Sequence, residues 1–125
     1  MTNLRDLYKC QVCGHVVEIV HKGQPTLVCC DEKMNKLEEQ TEDATIEKHV
    51  PVVEEIDGGI EVTVGSTEHP MTEKHYIQFI EVLTSDKVLR AELKPGDKPT
   101  ASFNVNKNKV EKVREYCNLH NLWRV

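Results

Sequence analysis

The sequence predicts a mainly β protein in two parts: a miniature domain gathered around four cysteines, then an antiparallel β-sandwich of about seven strands. Three observations carry this prediction. Four of the five cysteines fall between positions 10 and 30. From about Ile46 onward, apolar residues recur with a period of two. Glycine-, proline- and aspartate-bearing turn sequences separate those runs.

Residues 1–37 form the first expected domain, with Gly14 and Gly23-Gln24-Pro25 as its turns and Met34 to Leu37 placed to pack over the cysteines. The polar stretch 38–45, with Glu38-Glu39-Gln40-Thr41-Glu42-Asp43 at its start, reads as a solvated linker. The second expected domain spans 46–125. In it Ile60, Val62 and Val64 alternate with Glu61 and Thr63, and His75, Ile77 and Phe79 alternate with Tyr76, Gln78 and Ile80. Leu89, Ala91 and Leu93 follow the same rule, as do Ala101, Phe103 and Val105. Asp57-Gly58-Gly59, Thr84-Ser85-Asp86 and Lys94-Pro95-Gly96-Asp97 supply turns between them. Val110 and Val113 leave a helical alternative open for residues 107–114.

Composition narrows the function. At 125 residues, 38% hydrophobic and 30% charged, the chain has the make-up of a globular protein, and no apolar run is long enough to span a bilayer. The first residues, Met1-Thr2-Asn3-Leu4-Arg5-Asp6, lack the apolar core of a signal peptide, so a cytoplasmic location is expected. A net charge of −5 argues against nucleic acid or an anionic membrane as the main partner. In a reducing compartment, clustered thiols point to metal rather than to disulfides.

Cys10-Gln11-Val12-Cys13-Gly14 is a metal knuckle: the two-residue spacer lets both sulfurs face one ion, and the glycine permits the backbone to turn toward them. Cys29 and Cys30 are adjacent, so their side chains diverge, and holding both on one ion implies a distorted tetrahedron. Sulfur ligation of this kind suits zinc or iron. Residues 1–36 carry Arg5, Lys9, Lys22, Lys33 and Lys36 against Asp6, Glu18, Asp31 and Glu32, too balanced for a nucleic-acid zinc ribbon. His15 and His21 read as surface residues, since four thiolates complete a tetrahedron.

A second group is scattered: His49 before Pro51, His69 before Pro70, His75 at the start of a strand, and Cys117-Asn118-Leu119-His120 with another two-residue spacer. Taken singly, each histidine reads as an ordinary surface or strand-end residue, and Cys117 as a buried thiol. Spacing alone does not make them converge.

Five segments in order, namely Cys10-x-x-Cys13 with Cys29-Cys30, Glu47-Lys48-His49-Val50-Pro51, His69-Pro70-Met71, Glu73-Lys74-His75 and Tyr116-Cys117-Asn118-Leu119-His120, resemble the desulfoferrodoxin family of two-iron superoxide reductases over essentially the whole chain. The resemblance implies a desulforedoxin-like first domain that binds iron through Cys10, Cys13, Cys29 and Cys30, and an immunoglobulin-like sandwich as the second. It implies a second iron with His49, His69, His75 and His120 as equatorial ligands and Cys117 as the axial thiolate. The sixth position is open in the ferrous state, and the family links Glu47 and Lys48 to that face. The implied reaction is one-electron reduction of superoxide to hydrogen peroxide without release of dioxygen. Reduced rubredoxin or a similar small carrier is the implied donor, and a homodimer the implied assembly. Asn121 stands where the family usually has glycine; asparagine tolerates the left-handed backbone better than most residues.

Counting ligand charges, a ferrous ion with one thiolate and four neutral imidazoles carries about +1, whereas one with four thiolates carries about −2. Superoxide is an anion and is drawn to the first. Two rival readings remain distinct: a pure electron carrier, which would bind neither azide nor cyanide at the histidine site, and a zinc-stabilised binding domain, which would be colourless.

Overall fold

A computed structural model of the chain describes residues 1–43 and 48–125. It divides into two compact units, Met1–Glu38 and Glu39–Val125. None of the described helices is long and apolar enough to cross a membrane.

The first unit contains β1 (Leu7–Lys9), β2 (Val16–Glu18), β3 (Val28–Cys29), β4 (Glu32–Lys33) and β5 (Asn35–Lys36). β1 lies between β2 and β5 with antiparallel neighbours, and β3 pairs with β4 in a hairpin. Its buried apolar residues are Leu7, Cys10, Ile19 and Leu37, too few to hold a domain of this size by burial alone. Leu37 donates its N–H to the Leu7 carbonyl (2.8 Å) and closes the unit, while Met34 is only half-buried.

The second unit contains β6 (Pro51–Ile56), β7 (Gly59–Val64), β8 (Ile77–Leu83), β9 (Val88–Glu92), β10 (Thr100–Phe103), β11 (Lys112–Cys117) and β12 (Asn121–Arg124). One sheet has the order β10-β7-β6 and the other β12-β11-β8-β9, all neighbours antiparallel. Alternation decides which face is buried. Ile60, Val62 and Val64 of β7 meet Ile80 and Val82 of β8 and Val113 and Cys117 of β11 in one core, as expected of a β-sandwich. The open helical option at 107–114 resolves into a single 3-10 turn, Lys107–Lys109, capped by the Asn106 side chain, after which β11 begins.

Period two fails at one place. Tyr116 pairs with Phe79 but Cys117 pairs with Ile77, so Gln78 is an extra residue in β8. This β-bulge lets both Ile77 and Ile80 face the core, where strict alternation grouped Ile77 with Phe79. Phe79 instead stacks on Tyr116 on the opposite face, ring centroids 5.7 Å apart. β8 also starts at Ile77, two residues after His75, which lies in a bend rather than at a strand start.

On that opposite face, Arg124, Arg114, Glu81 and Arg90 occupy one cross-strand row. Glu81 is fully buried and accepts from Arg114 Nε (2.7 Å) and Arg90 Nε (2.8 Å). Arg114 also reaches Glu39 (3.2 Å), and Lys112 meets the same carboxylate at 2.6 Å. Burial raises the Glu39 carboxyl, but Lys112 and Arg114 outweigh it and leave its pKa below the ordinary value. A carboxyl held low in the folded state stabilises it above the unfolded pKa, near 4.3, and that contribution disappears as pH falls through the folded value. Glu39→Gln should therefore cost about 1 kcal/mol at pH 7, a modest figure because the carboxylate is partly solvated. Thermal melts should show the difference closing as the pH drops below about 4.

Candidate metal centres

The first centre is built at two turns. Gly14 adopts φ 84° and donates its N–H to the Cys10 carbonyl (3.0 Å), while the Cys13 N–H points at Cys10 Sγ (3.5 Å). The β3–β4 hairpin turns on Cys30 and Asp31, both left-handed at φ 54° and 60°. Hairpin turns with two left-handed residues ordinarily use asparagine and glycine. Here the left-handed backbone at Cys30 swings the second of two adjacent thiols back beside the first. Cys29 Sγ lies 3.5 Å from Cys13 Sγ and 3.9 Å from Cys30 Sγ, and all four sulfurs lie within 4.8 Å of one another. Sulfurs at tetrahedral corners about 2.3 Å from an ion stand about 3.8 Å apart, so the cluster has the size such an ion requires. The sulfurs also compete for protons: the Cys13 backbone N–H brings Cys10 down to about 7, while hydrogen bonding to the Cys13 sulfur pushes Cys29 up to about 12. His15 and His21 are exposed and outside the cluster.

The second centre draws on the second unit from end to end. His49, His69, His75, His120 and Cys117 each offer one ligand atom, all within 4.8 Å of one another. Going round the rings, His49–His69, His69–His75, His75–His120 and His120–His49 centroids are 4.6, 4.6, 5.0 and 4.8 Å apart. The His49–His75 distance is 6.4 Å, close to √2 times the side, so the rings stand at the corners of a square. Neighbouring rings are steeply inclined, by 66° to 82°. Cys117 Sγ approaches His69 Nε2 at 3.7 Å and His120 Nδ1 at 3.8 Å, and the cysteine is fully buried.

Local structure holds each group. The Asp43 carboxylate accepts the N–H groups of His49 (2.6 Å) and Val50 (3.1 Å) just before β6. His69 Nδ1 donates to the Pro70 carbonyl (2.7 Å), which leaves Nε2 as the inward lone pair. The Asn118 side chain donates to Lys74 O (3.0 Å) and accepts from Tyr76 N (2.9 Å), tying the β11–β12 turn to the segment carrying His75. Asn121 does take the left-handed conformation, φ 69°. Four imidazoles and a thiol with their ligand atoms gathered form an arrangement that a central cation stabilises, and five donors, four of them on rings at the corners of a square, do not match tetrahedral zinc. The residues present fit iron.

Lys48 is half-buried beside His49, and its backbone is pressed against Gly65: a Cβ at position 65 would stand 2.7 Å from the Lys48 carbonyl oxygen. Glu47 lies outside the described residues. Glu115, one alternation from Cys117 on β11, is fully buried, and burial together with the Asp43 charge raises its carboxyl well above the usual range. Sequence reasoning did not single out Gln40, Asp43, Gly65, Glu115, Asn118 or Trp123. The only advance signal was Trp123 as the sole tryptophan.

Comparison with known proteins agrees with this division. Residues 41–125 match the family model described as desulfoferrodoxin, and residues 2–37 match the desulfoferrodoxin N-terminal domain. The desulfoferrodoxin of Syntrophotalea carbinolica is 53% identical over 98% of this chain and 97% of that protein. The desulforedoxin of Megalodesulfovibrio gigas is 53% identical over 36 residues, 29% of this chain and 97% of its own length. Among solved structures, the superoxide reductase from Treponema pallidum superposes with a TM-score of 0.80 at 27% identity, covering 96% of each chain. With both family models matched in order and half the residues shared across nearly the full length of a relative, this chain belongs to the desulfoferrodoxin family.

Proposed function

We propose that the protein is a superoxide reductase that converts superoxide to hydrogen peroxide at the histidine–cysteine centre, in defence against oxidative stress. The observation that supports this reading most is the square of four imidazoles with one buried cysteine sulfur beside it. Cys10, Cys13, Cys29 and Cys30 would hold one iron ion, and His49, His69, His75, His120 and Cys117 a second. Iron held at the second centre would supply the one electron that, with two protons, takes superoxide to hydrogen peroxide, so no dioxygen would form.

The protein's own groups account for the rest. Neutral imidazoles leave the second centre net positive and attractive to an anion, whereas four thiolates make the first centre repel it. The first centre is thereby suited to relaying electrons and to holding its small domain together. Lys48 steers superoxide toward the second centre and orients a water that delivers a proton. Gly65 supports that role by letting the Lys48 backbone sit close. Glu47, which lies outside the described residues, would serve the same centre after turnover. Reduced rubredoxin or a similar small carrier resupplies electrons, the location is cytoplasmic and the assembly a homodimer.

The reading is tested with pulses of superoxide. Superoxide should be consumed one-for-one with oxidation of the ferrous protein, and no dioxygen should evolve; dioxygen release at half the superoxide consumed would indicate dismutation instead. Lys48→Ala should slow consumption about tenfold or more and flatten its dependence on ionic strength. An unchanged rate and salt profile would remove Lys48 from the scheme.

A further inference from the structure

The His49 and His120 side of the square is held by a feature that ligand identity does not explain. Trp123 follows the Cys117–His120 turn by three residues and lies on the inner face of β12, 95% buried. Its indole stacks on the His49 ring, centroids 4.7 Å apart and planes inclined by only 16°. Its Nε1–H donates to the His120 carbonyl at 3.0 Å. One side chain thus touches a ring near the start of the unit and a backbone carbonyl near its end. Gln40 closes the arrangement. It pairs with Trp123 through a parallel bridge, accepting the Arg124 N–H (2.9 Å) and donating its own to Leu122 O (3.0 Å). Its side-chain amide donates to the same His120 carbonyl at 2.8 Å.

Two N–H donors converging on one carbonyl fix the peptide that carries His120, and a flat indole restricts the tilt of His49. We propose that Trp123 and Gln40 are positioning residues for the His49–His120 edge of the square and thereby set how tightly, and with what symmetry, the centre holds its ion. The inference rests on the metal reading of that centre. It assigns neither residue any contact with superoxide.

Trp123→Phe keeps a stacking ring, though a smaller one, and removes the N–H, Trp123→Leu removes the stack as well, and Gln40→Leu removes the second donor. Metal-free full-length protein would be titrated with ferrous ion against a competing chelator, reading the two centres by their separate thiolate-to-iron absorption after oxidation. The expected result is a graded loss of ferrous affinity at the histidine centre, about tenfold for Trp123→Phe and Gln40→Leu and toward a hundredfold for Trp123→Leu, the range usual for groups that orient metal ligands. The electron spin resonance of the oxidised histidine centre should change its rhombicity in Trp123→Phe, with the four-cysteine centre unchanged. Wild-type affinity and an unaltered resonance in both Trp123→Phe and Gln40→Leu would overturn the inference while leaving the reductase reading intact. If the wild-type histidine centre bound no ferrous ion, both would fall. Should Trp123→Leu not fold, Trp123→Phe and Gln40→Leu decide alone.

Discussion

Cys117→Ser is expected to bring superoxide consumption down to the background of metal-free protein, a larger loss than the 10–100-fold typical of changes around a ligand. The reason lies in what the sulfur alone contributes. On a bound ion Cys117 would be the one anionic donor beside four neutral ones; it is fully buried and stands 3.7–3.8 Å from two of the imidazole nitrogens. A serine hydroxyl is nearly isosteric, but at neutral pH it is neither anionic nor a soft donor, so the electron-donating push of a thiolate is lost. The fold should survive, because the residue ends β11 and the strand pairing on both sides is backbone-borne. The visible absorption of the four-cysteine centre serves as an internal control. It should persist in the variant while the histidine–thiolate band disappears. Retention of more than a tenth of the wild-type rate would show that Cys117 does not supply the thiolate the reaction needs.

The largest stability effect is expected at Glu81. Its carboxylate has no solvent exposure and answers two guanidinium groups, one of which, Arg114, is itself almost fully buried. Glu81→Ala takes from Arg114 the fully buried carboxylate that meets its Nε, and deletion of one member of a buried pair usually costs about 3–5 kcal/mol. For a unit of this size that is a fall of about 15 °C or more in Tm, measurable by calorimetry. Glu81→Gln, which keeps shape and some hydrogen bonding, should fall between the two. A Glu81→Ala protein within about 1 kcal/mol of wild type would mean that the row of charges is solvated in solution. The iron ligands lie on other segments, so the loss should appear in unfolding before it appears in turnover at room temperature.

The four-cysteine centre was readable because its residues are local: the knuckle at Cys10 and Cys13 is a spacing, and a spacing is visible in one dimension. The sandwich was readable for a similar reason, since β7 and β9 show their buried faces by alternation. Where alternation broke, the sequence offered nothing to show it. Gln78 looks like any outward polar residue of a strand, yet as the bulged residue it decides that Ile80, not Phe79, joins the core. Glu81 looks equally ordinary between Ile80 and Val82, and its complete burial depends on arginines from two other strands. The histidine group could be assembled only through resemblance to a family, because its members are up to 71 residues apart, from His49 to His120. Gln40 and Asp43 were hidden more deeply. They sit in a stretch whose composition is that of a solvated linker, and their value comes from the backbone groups they meet in the folded chain.

The hairpin tip at Cys30 and Asp31 has a thermodynamic corollary. Two successive non-glycine residues in the left-handed region cost about 1–2 kcal/mol each, and this small unit has few buried contacts to offset that. The conformation that brings the adjacent thiols together is therefore favoured mainly when something occupies the space between them. Strain in the turn and affinity for the ion are two faces of one equilibrium: whatever the backbone would gain by relaxing is subtracted from the hold on the ion, and ion binding suppresses that relaxation. The first unit thus behaves less as a scaffold to which a metal is added than as a peptide whose folded state includes the ion as a component.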